Sequence, residues 1–339
     1  MTLLRNILMG VACWVSLATT GASAQSAAEF YKDRVVTFII GADAGGTYDV
    51  HGRLLARHFP HHIPGAPRLV VQNMPGAGSV KAANNLYSVA PQDGSVLSSL
   101  LNTLPLAHVL DQLKVQADIT RLQWIGNMAQ EVFVVLAWHT APARTIEDVR
   151  QTPLVLAATS SGTLSGMLPR IINHVLGTKF QVVTGYSFAA IDLAMERQEV
   201  HGHAGAAWIS KGKYADLVRD NKVRVLLQIG FHRPSELAAV PLLRDMAKDD
   251  EALRLIDLFA SPAALGKPMV VGPDVPADRV ALLRQAYDAT MRDPAFLAEA
   301  DKVGVTILPV SGVELGERVK RIVESPPALV ARAKAAIGG

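Results

Sequence analysis

Short β-branched or aliphatic runs alternate with single helix-length stretches along most of this chain, and no other feature constrains the fold as strongly. Val35–Ile40 is a β-branched run that stops at Gly41. Residues 48–59 then read as a helix, 69–72 as a strand, 79–90 as a helix and 95–101 as a third strand. The pattern resumes with strands at 132–137 and Leu154–Ala158, a helix start near Thr145 between them, and a helix over 163–176. A strand at 180–183, a helix at 189–197, a strand at Val223–Ile229 and a mostly helical stretch from Ala277 complete it. Strands separated by single helices predict βαβ units and largely parallel sheets, hence an α/β fold. With 339 residues the chain is long enough for two lobes. No internal repeat or low-complexity linker divides them, so short ordered strands are expected to carry the crossings.

The first two dozen residues stand outside this pattern. Arg5 supplies a positive start, residues 7–18 are apolar and uncharged, and Ala22-Ser23-Ala24 is a small-x-small cleavage site. Residues 1–24 therefore read as a secretory signal peptide, cut after Ala24. The apolar stretch falls short of the ~20 residues that span a bilayer. Cys13 is the one cysteine, and Gly10 stands where a lipoprotein signal needs a large aliphatic residue. Once the leader is removed, the chain has no disulfide, thiol nucleophile or cysteine metal site. A periplasmic protein is expected. Its formal charge is only +3 and it has no basic block, so it offers no footprint for nucleic acid.

The usual catalytic signatures are missing. The loop after the first strand is Gly41-x-x-x-Gly45-Gly46 rather than G-x-G-x-x-G, and neither a phosphate-binding P-loop nor a G-x-S-x-G elbow occurs. His201-Gly202-His203 and His58-x-x-His61-His62 have no acidic or cysteine partners nearby in sequence, so they read as solvated loop or helix ends rather than metal ligands. Asp249-Asp250-Glu251 reads as a charged helix face. No metal, cofactor or catalytic group is expected.

What remains is two donor-rich loops, each between a strand and a helix. One runs from Ala44 through Gly45 and Gly46 to Thr47; the other runs from Thr159 through Ser160, Ser161 and Gly162 to Thr163. Backbone N–H groups at a helix start favour an anion, glycines admit it to the backbone, and hydroxyls add donors. The same residues also suit ordinary βα turns with Ser/Thr caps, so a binding cleft and a plain pair of turns both stand at this level.

Longer motifs narrow the choice. Gly45-Gly46-Thr47-Tyr48-Asp49 with Arg53-Leu54-Leu55-Ala56-Arg57, Asn73-Met74-Pro75-Gly76-Ala77-Gly78, and Ala90-Pro91-Gln92-Asp93-Gly94 resemble segments of the substrate-binding proteins of tripartite tricarboxylate transporters. Gly177-Thr178-Lys179-Phe180, Gly185-Tyr186 and Pro326-Pro327-x-Leu329-Val330 extend the resemblance over roughly residues 29–336. It implies a type II periplasmic binding-protein fold, two α/β lobes with a ligand cleft between them. Lobe one would hold residues 29–128 plus 259–339 and lobe two 129–258, with crossings near 127–130 and 258–261. The implied ligand is a small organic carboxylate or amino acid, delivered to a membrane permease of one large and one small subunit by a monomeric receptor without cofactor. Its site would comprise Ala44, Gly45, Gly46, Thr47, Tyr48 and Asp49 in lobe one. Ser160, Ser161, Gly162, Thr163 and Ser165 would supply lobe two, with Asn102, Thr103 and Tyr186 flanking. Asp49 would either meet a ligand ammonium or hydroxyl or serve the helix start. Closure of the lobes would bring both loops to one molecule. The chain departs from relatives at Thr47, where a third glycine is usual, and at Gln198, usually glycine. A receptor that presents its ligand to a sensor protein, or an exported enzyme on the same two lobes, are the other functions such a chain could serve.

Overall fold

The computed structural model describes residues 26–338, and the leader at 1–24 lies outside them. After α1 (Ala27–Tyr31) the chain runs β1 (Val35–Ile40), α2 (Thr47–His58), β2 (Arg68–Asn73), α3 (Val80–Ser88), β3 (Val96–Ser99), α4 (Leu104–Val109) and β4 (Gln123–Asn127). It crosses into β5 (Phe133–Trp138), β6 (Leu154–Ala158), α5 (Leu164–Leu176), β7 (Phe180–Thr184), α6 (Phe188–Glu196), β8 (Gly202–Ala207), α7 (Lys213–Arg219) and β9 (Val223–Ile229). α8 (Asp250–Leu265) returns it to β10 (Pro268–Val271), α9 (Ala277–Thr290), α10 (Pro294–Lys302), β11 (Val310–Ser311), α11 (Gly312–Val323) and α12 (Pro327–Gly338).

Two sheets result, ordered β11-β4-β10-β3-β1-β2 and β7-β6-β8-β5-β9. The expected parallel pairing holds for β1 with β2 and β3, and for β6 with β7 and β8. It fails at β10, antiparallel to β3 and β4, at β5, antiparallel to β8 and β9, and at the two-residue β11, antiparallel to β4. The reversals at β5 and β10 have one cause. β5 and β10 are the strands that enter a sheet directly from a crossing, so they run against neighbours that end there.

Sequence and structure part at several other points. The helix start at Thr145 yields a single turn at Asp148–Arg150, because β6 begins four residues later, just past Pro153. The second crossing is α8, a helix rather than a strand. β4, β8 and β10 escape the pattern. β8 (Gly-His-Ala-Gly-Ala-Ala) has no β-branched residue, since a Cβ on Gly202 would lie 1.9 Å from the Leu136 carbonyl oxygen. Close approach to β5 dictates small residues there, which erases the usual strand signature.

Both faces of the central strands are covered, as sheets flanked by helices require. β5 sends Phe133 and Val135 to one core and Val134 and Leu136 to another; β10 divides Val270 from Met269 and Val271 likewise. The largest core does not stop at a lobe boundary. It joins Leu168 and Ile172 of α5, Leu255 and Phe259 of α8, Leu104 of α4 and Leu315 of α11. α12, read from sequence with the first lobe, packs on α5 and α8 and adds Ala333 and Ile337 to that core.

Candidate functional site

The registers place the candidate loops. β2, β1 and β3 end together, Ile40 lying opposite both Asn73 and Ser99, so the loops at 41–46, 74–79 and 100–103 share one sheet edge. β4 runs in the same direction as β3, and its last residue, Asn127, opens the first crossing at that edge. In the second sheet β6 runs parallel to β8, whose final residue Ala207 pairs with Phe133 at the start of β5. The loops after β1 and β6 therefore both lie at the carboxyl edge of parallel strands and on the crossing side of their sheets. Ligands of open α/β sheets collect at such edges.

In the first loop, α2 begins at Gly46, an extended N-cap without a side-chain bond. The N–H groups of its first turn have no protein acceptor among the described residues. Gly46 and Thr47 line a recess of about 670 Å³ whose far wall is Pro75–Ser79. That wall is unusual backbone: Gly76, Ala77, Gly78 and Ser79 all have positive φ (146°, 44°, 61° and 74°). Ser79, fully buried, holds it in place by donating to the Gly41 carbonyl (2.7 Å) and accepting from the Leu101 N–H (3.0 Å). Left-handed non-glycine residues cost free energy and persist only where neighbours over-determine them.

Asp49 is buried and turned inward. Its carboxylate accepts from the Gly45 N–H (2.9 Å), Arg53 Nε (2.9 Å) and Asn73 Nδ2 (3.0 Å), bracing the loop rather than entering the recess. The Arg53 bond leads the interactions that pull its carboxyl down to about 2. An unfolded aspartate titrates near ~3.9, so this stabilisation is complete above that value and is lost as pH falls through about 2. Asp49→Asn should therefore lower the urea midpoint at pH 6, and the gap from wild type should close by pH 2. A gap that stays constant over that range would show that the charge does not hold the loop.

Tyr48, expected at the ligand, lines the same recess and is also a buried strut. Its hydroxyl donates to the Gly266 carbonyl (2.9 Å) and accepts from the Asn102 N–H (2.8 Å), and burial pushes its phenol well above its ordinary value. Asn102 Nδ2 donates to Glu131 (2.8 Å), which is ion-paired with Lys267; the Lys267 ammonium lies 4.3 Å from the Tyr48 ring centre. His51 stands nearby with Nδ1 2.6 Å from the Thr47 carbonyl; burial first, then Lys267, pulls it down to about 4, so its ring is neutral at pH 7. These groups join loop one to both crossings. Glu131 and Lys267 lie 136 residues apart and have no local motif, which is why the sequence does not reveal them.

In the second loop the hydroxyls turn toward each other. Thr163 is 2.9 Å from Thr159 and from Ser165, and donates to the Ser160 carbonyl (2.9 Å); Ser165 accepts the Thr159 N–H (3.1 Å). Thr163, the N-cap of α5, makes no side-chain cap bond; the Leu164 and Ser165 N–H groups have no protein acceptor among the described residues, while the Gly166 N–H donates to the Thr163 carbonyl (2.9 Å). Ser187, Asp249 and Ser311 cap α6, α8 and α11, whereas α3, α4, α7 and α9 also start without a side-chain cap. Ser160 and Ser161 are exposed. Gly162 faces lobe one: a Cβ there would lie 2.3 Å from Gln112 Oε1. Tyr186 adjoins the loop through its N–H to the Ala158 carbonyl (3.3 Å), with its ring packed on the second lobe's core; Thr103 is half-buried at the start of α4. Loop two lines a separate recess of about 490 Å³ with Asp111 and Gln112, so the two predicted halves border the same side but line different hollows.

The histidine clusters are solvated only in part: His61 is exposed, but His58, His62 and His203 find partners. His203 is fully buried in β8 with Nε2 2.9 Å from the Tyr214 hydroxyl, which donates to Asp192 (2.9 Å). His58 and His62 meet Glu299 (2.6 Å) and Asp293 (3.0 Å) of the α10 region, partners more than 230 residues away in sequence. Among the described residues no group of three metal-ligating side chains forms.

Comparison with known proteins agrees with this architecture. The tripartite tricarboxylate transporter family receptor pattern matches residues 62–314, beginning after the first loop. A Cupriavidus necator protein encoded in the gbd 5′ region is 26% identical over 243 residues, 69% of this chain and 71% of that one. A solute-binding protein from Polaromonas superposes with a TM-score of 0.68 at 18% identity, covering 91% of this chain and 99% of that one. A Rhodopseudomonas palustris protein with bound malate gives 0.61 at 17% identity, covering 90% and 99%.

Proposed function

The chain belongs to the tripartite tricarboxylate transporter family of receptors, a family of periplasmic solute-binding proteins, and from that premise we propose that it captures a small dicarboxylate for a membrane permease. The observation that carries the ligand class is the pair of helix starts, α2 and α5, that follow parallel strands without a side-chain cap. Their unshared N–H groups and aligned dipoles suit a carboxylate at each end of one molecule. The malate in the Rhodopseudomonas relative has the same two-ended charge. The two loops belong to different sheets, so a ligand that bridges them favours the closed arrangement. Residues 1–24 would direct the chain to the periplasm and be removed there, and the permease would receive the ligand from the closed form.

Gly46→Val tests the site with little risk to the fold. Gly46 has φ −77°, which any residue adopts, and a Cβ there would meet nothing closer than the Asp43 carbonyl at 3.4 Å. The branched side chain would stand over the first-turn N–H groups of α2. Losing two charge-assisted bonds, worth about 1.5–3 kcal/mol each, should weaken binding about a hundredfold or more. Calorimetric titration with a panel of C4 to C6 dicarboxylates, their monoamides and the matching diamines is the measurement. Binding of diacids by wild type alone supports the proposal; wild-type preference for amides or amines, or equal affinity in the variant, sinks it.

A further inference from the structure

We infer that a cavity behind the crossings is a second binding site, for an amphipathic anion such as an alkyl carboxylate. The cavity, about 610 Å³, lies between α8, α11 and the turn into α12, with Phe231 at its edge. Its volume falls within the range of small-molecule sites, and its lining mixes aliphatic with charged residues. Leu258, Ala264, Ile322 and Leu329 supply the apolar wall.

The charges around it are unbalanced in one direction. Asp257 is taken by Arg244 through two bonds (2.6 and 3.1 Å), and Glu314 by Arg318 (2.7 and 3.2 Å). Arg254 and Arg321 border the same cavity, and neither has an ion-pair partner among the described residues. Two guanidinium groups without counter-charge beside an aliphatic wall match a carboxylate head with an alkyl tail, and would repel a cationic amphiphile.

The site is placed to act on the crossings. Arg318, on the cavity wall, donates to Gln130 Oε1 (3.1 Å) and to the Ala264 carbonyl (2.8 Å), one residue from each crossing. Gln130 adjoins Glu131, and Ala264 lies two residues before Gly266, both members of the network beneath Tyr48. An occupant of the cavity would press on the joint about which the two sheets move, at a distance from the dicarboxylate loops.

Octanoate is the probe, titrated calorimetrically into the mature chain alongside octylamine. Wild type should bind octanoate saturably, and at least about tenfold more tightly than octylamine. Arg254→Glu with Arg321→Glu, both at exposed positions and so compatible with an unchanged melt, should lose about tenfold or more, the scale of one charge-assisted bond. Leu329→Trp, which narrows the cavity at its apolar wall, should weaken binding, whereas Gly46→Val should keep it. Absence of saturable binding to wild type, undiminished binding in the charge-reversed pair, or loss of binding in Gly46→Val would each overturn the assignment.

Discussion

Gly266→Ala is expected to destabilise the chain by about 2–6 kcal/mol, a large part of the ~5–15 kcal/mol that holds a typical domain together. Gly266 ends α8 with φ 50° and ψ −114°. A Cβ there would lie 1.6 Å from the Ala129 carbonyl oxygen and 2.8 Å from Asn127 Oδ1. Those atoms cannot give way cheaply. Ala129 is in the first crossing, and Asn127 Oδ1 already accepts N–H bonds from Ala129 (3.2 Å) and Lys267 (2.8 Å), one from each crossing. A methyl group at this point must drive the crossings apart. Gly177→Ala is the control: it too has positive φ (70°), but nothing lies within 4 Å of its Cβ. It should cost only the backbone term, about 1–2 kcal/mol. Thermal melts of the two variants separate the contributions. Equal losses would mean that the crossings move apart freely and that their contact does not fix the lobes.

Local patterning carried the fold a long way, and its failures share a cause. β1, β6, β9 and the two donor loops are legible because their residues suit isolated strands and helix starts. β8 is not, because its glycines and alanines answer to β5 at contact distance, and β10 is only four residues long. The same division runs through the site. Asp49, expected at a ligand or at a helix start, finds partners at i−4, i+4 and Asn73, all within one βαβ unit. Tyr48 has a second role that the sequence does not reveal, because Gly266, its acceptor, comes 218 residues later. His58 and His62 acquire acidic partners by the same kind of long-range return. The core that α8 shares with α5 and α11 is likewise invisible locally, since an apolar helix face gives no sign of which lobe it covers.

Glu131→Ala should be the most damaging single change of charge, because the ion pair it breaks lies at the base of both crossings. The Lys267 and Glu131 side chains are only 6% and 13% exposed. Removing one member of a buried pair costs about 3–5 kcal/mol, since the survivor remains desolvated and uncompensated. Here the survivor would be the Lys267 ammonium over the Tyr48 ring, and Asn102 Nδ2 would lose its acceptor as well. Glu131→Leu with Lys267→Met removes both charges at similar volume, and should recover stability to within about 1 kcal/mol of wild type. Urea titration of the two single variants and the double variant forms the cycle. Dicarboxylate affinity of the double variant then separates packing from orientation. Without the pair, Tyr48 and Asn102 lose the ionic anchor that sets loop one against the crossings, so the double variant should melt normally yet bind less tightly. If Glu131→Ala costs under about 1 kcal/mol, water reaches the pair and it cannot act as that anchor.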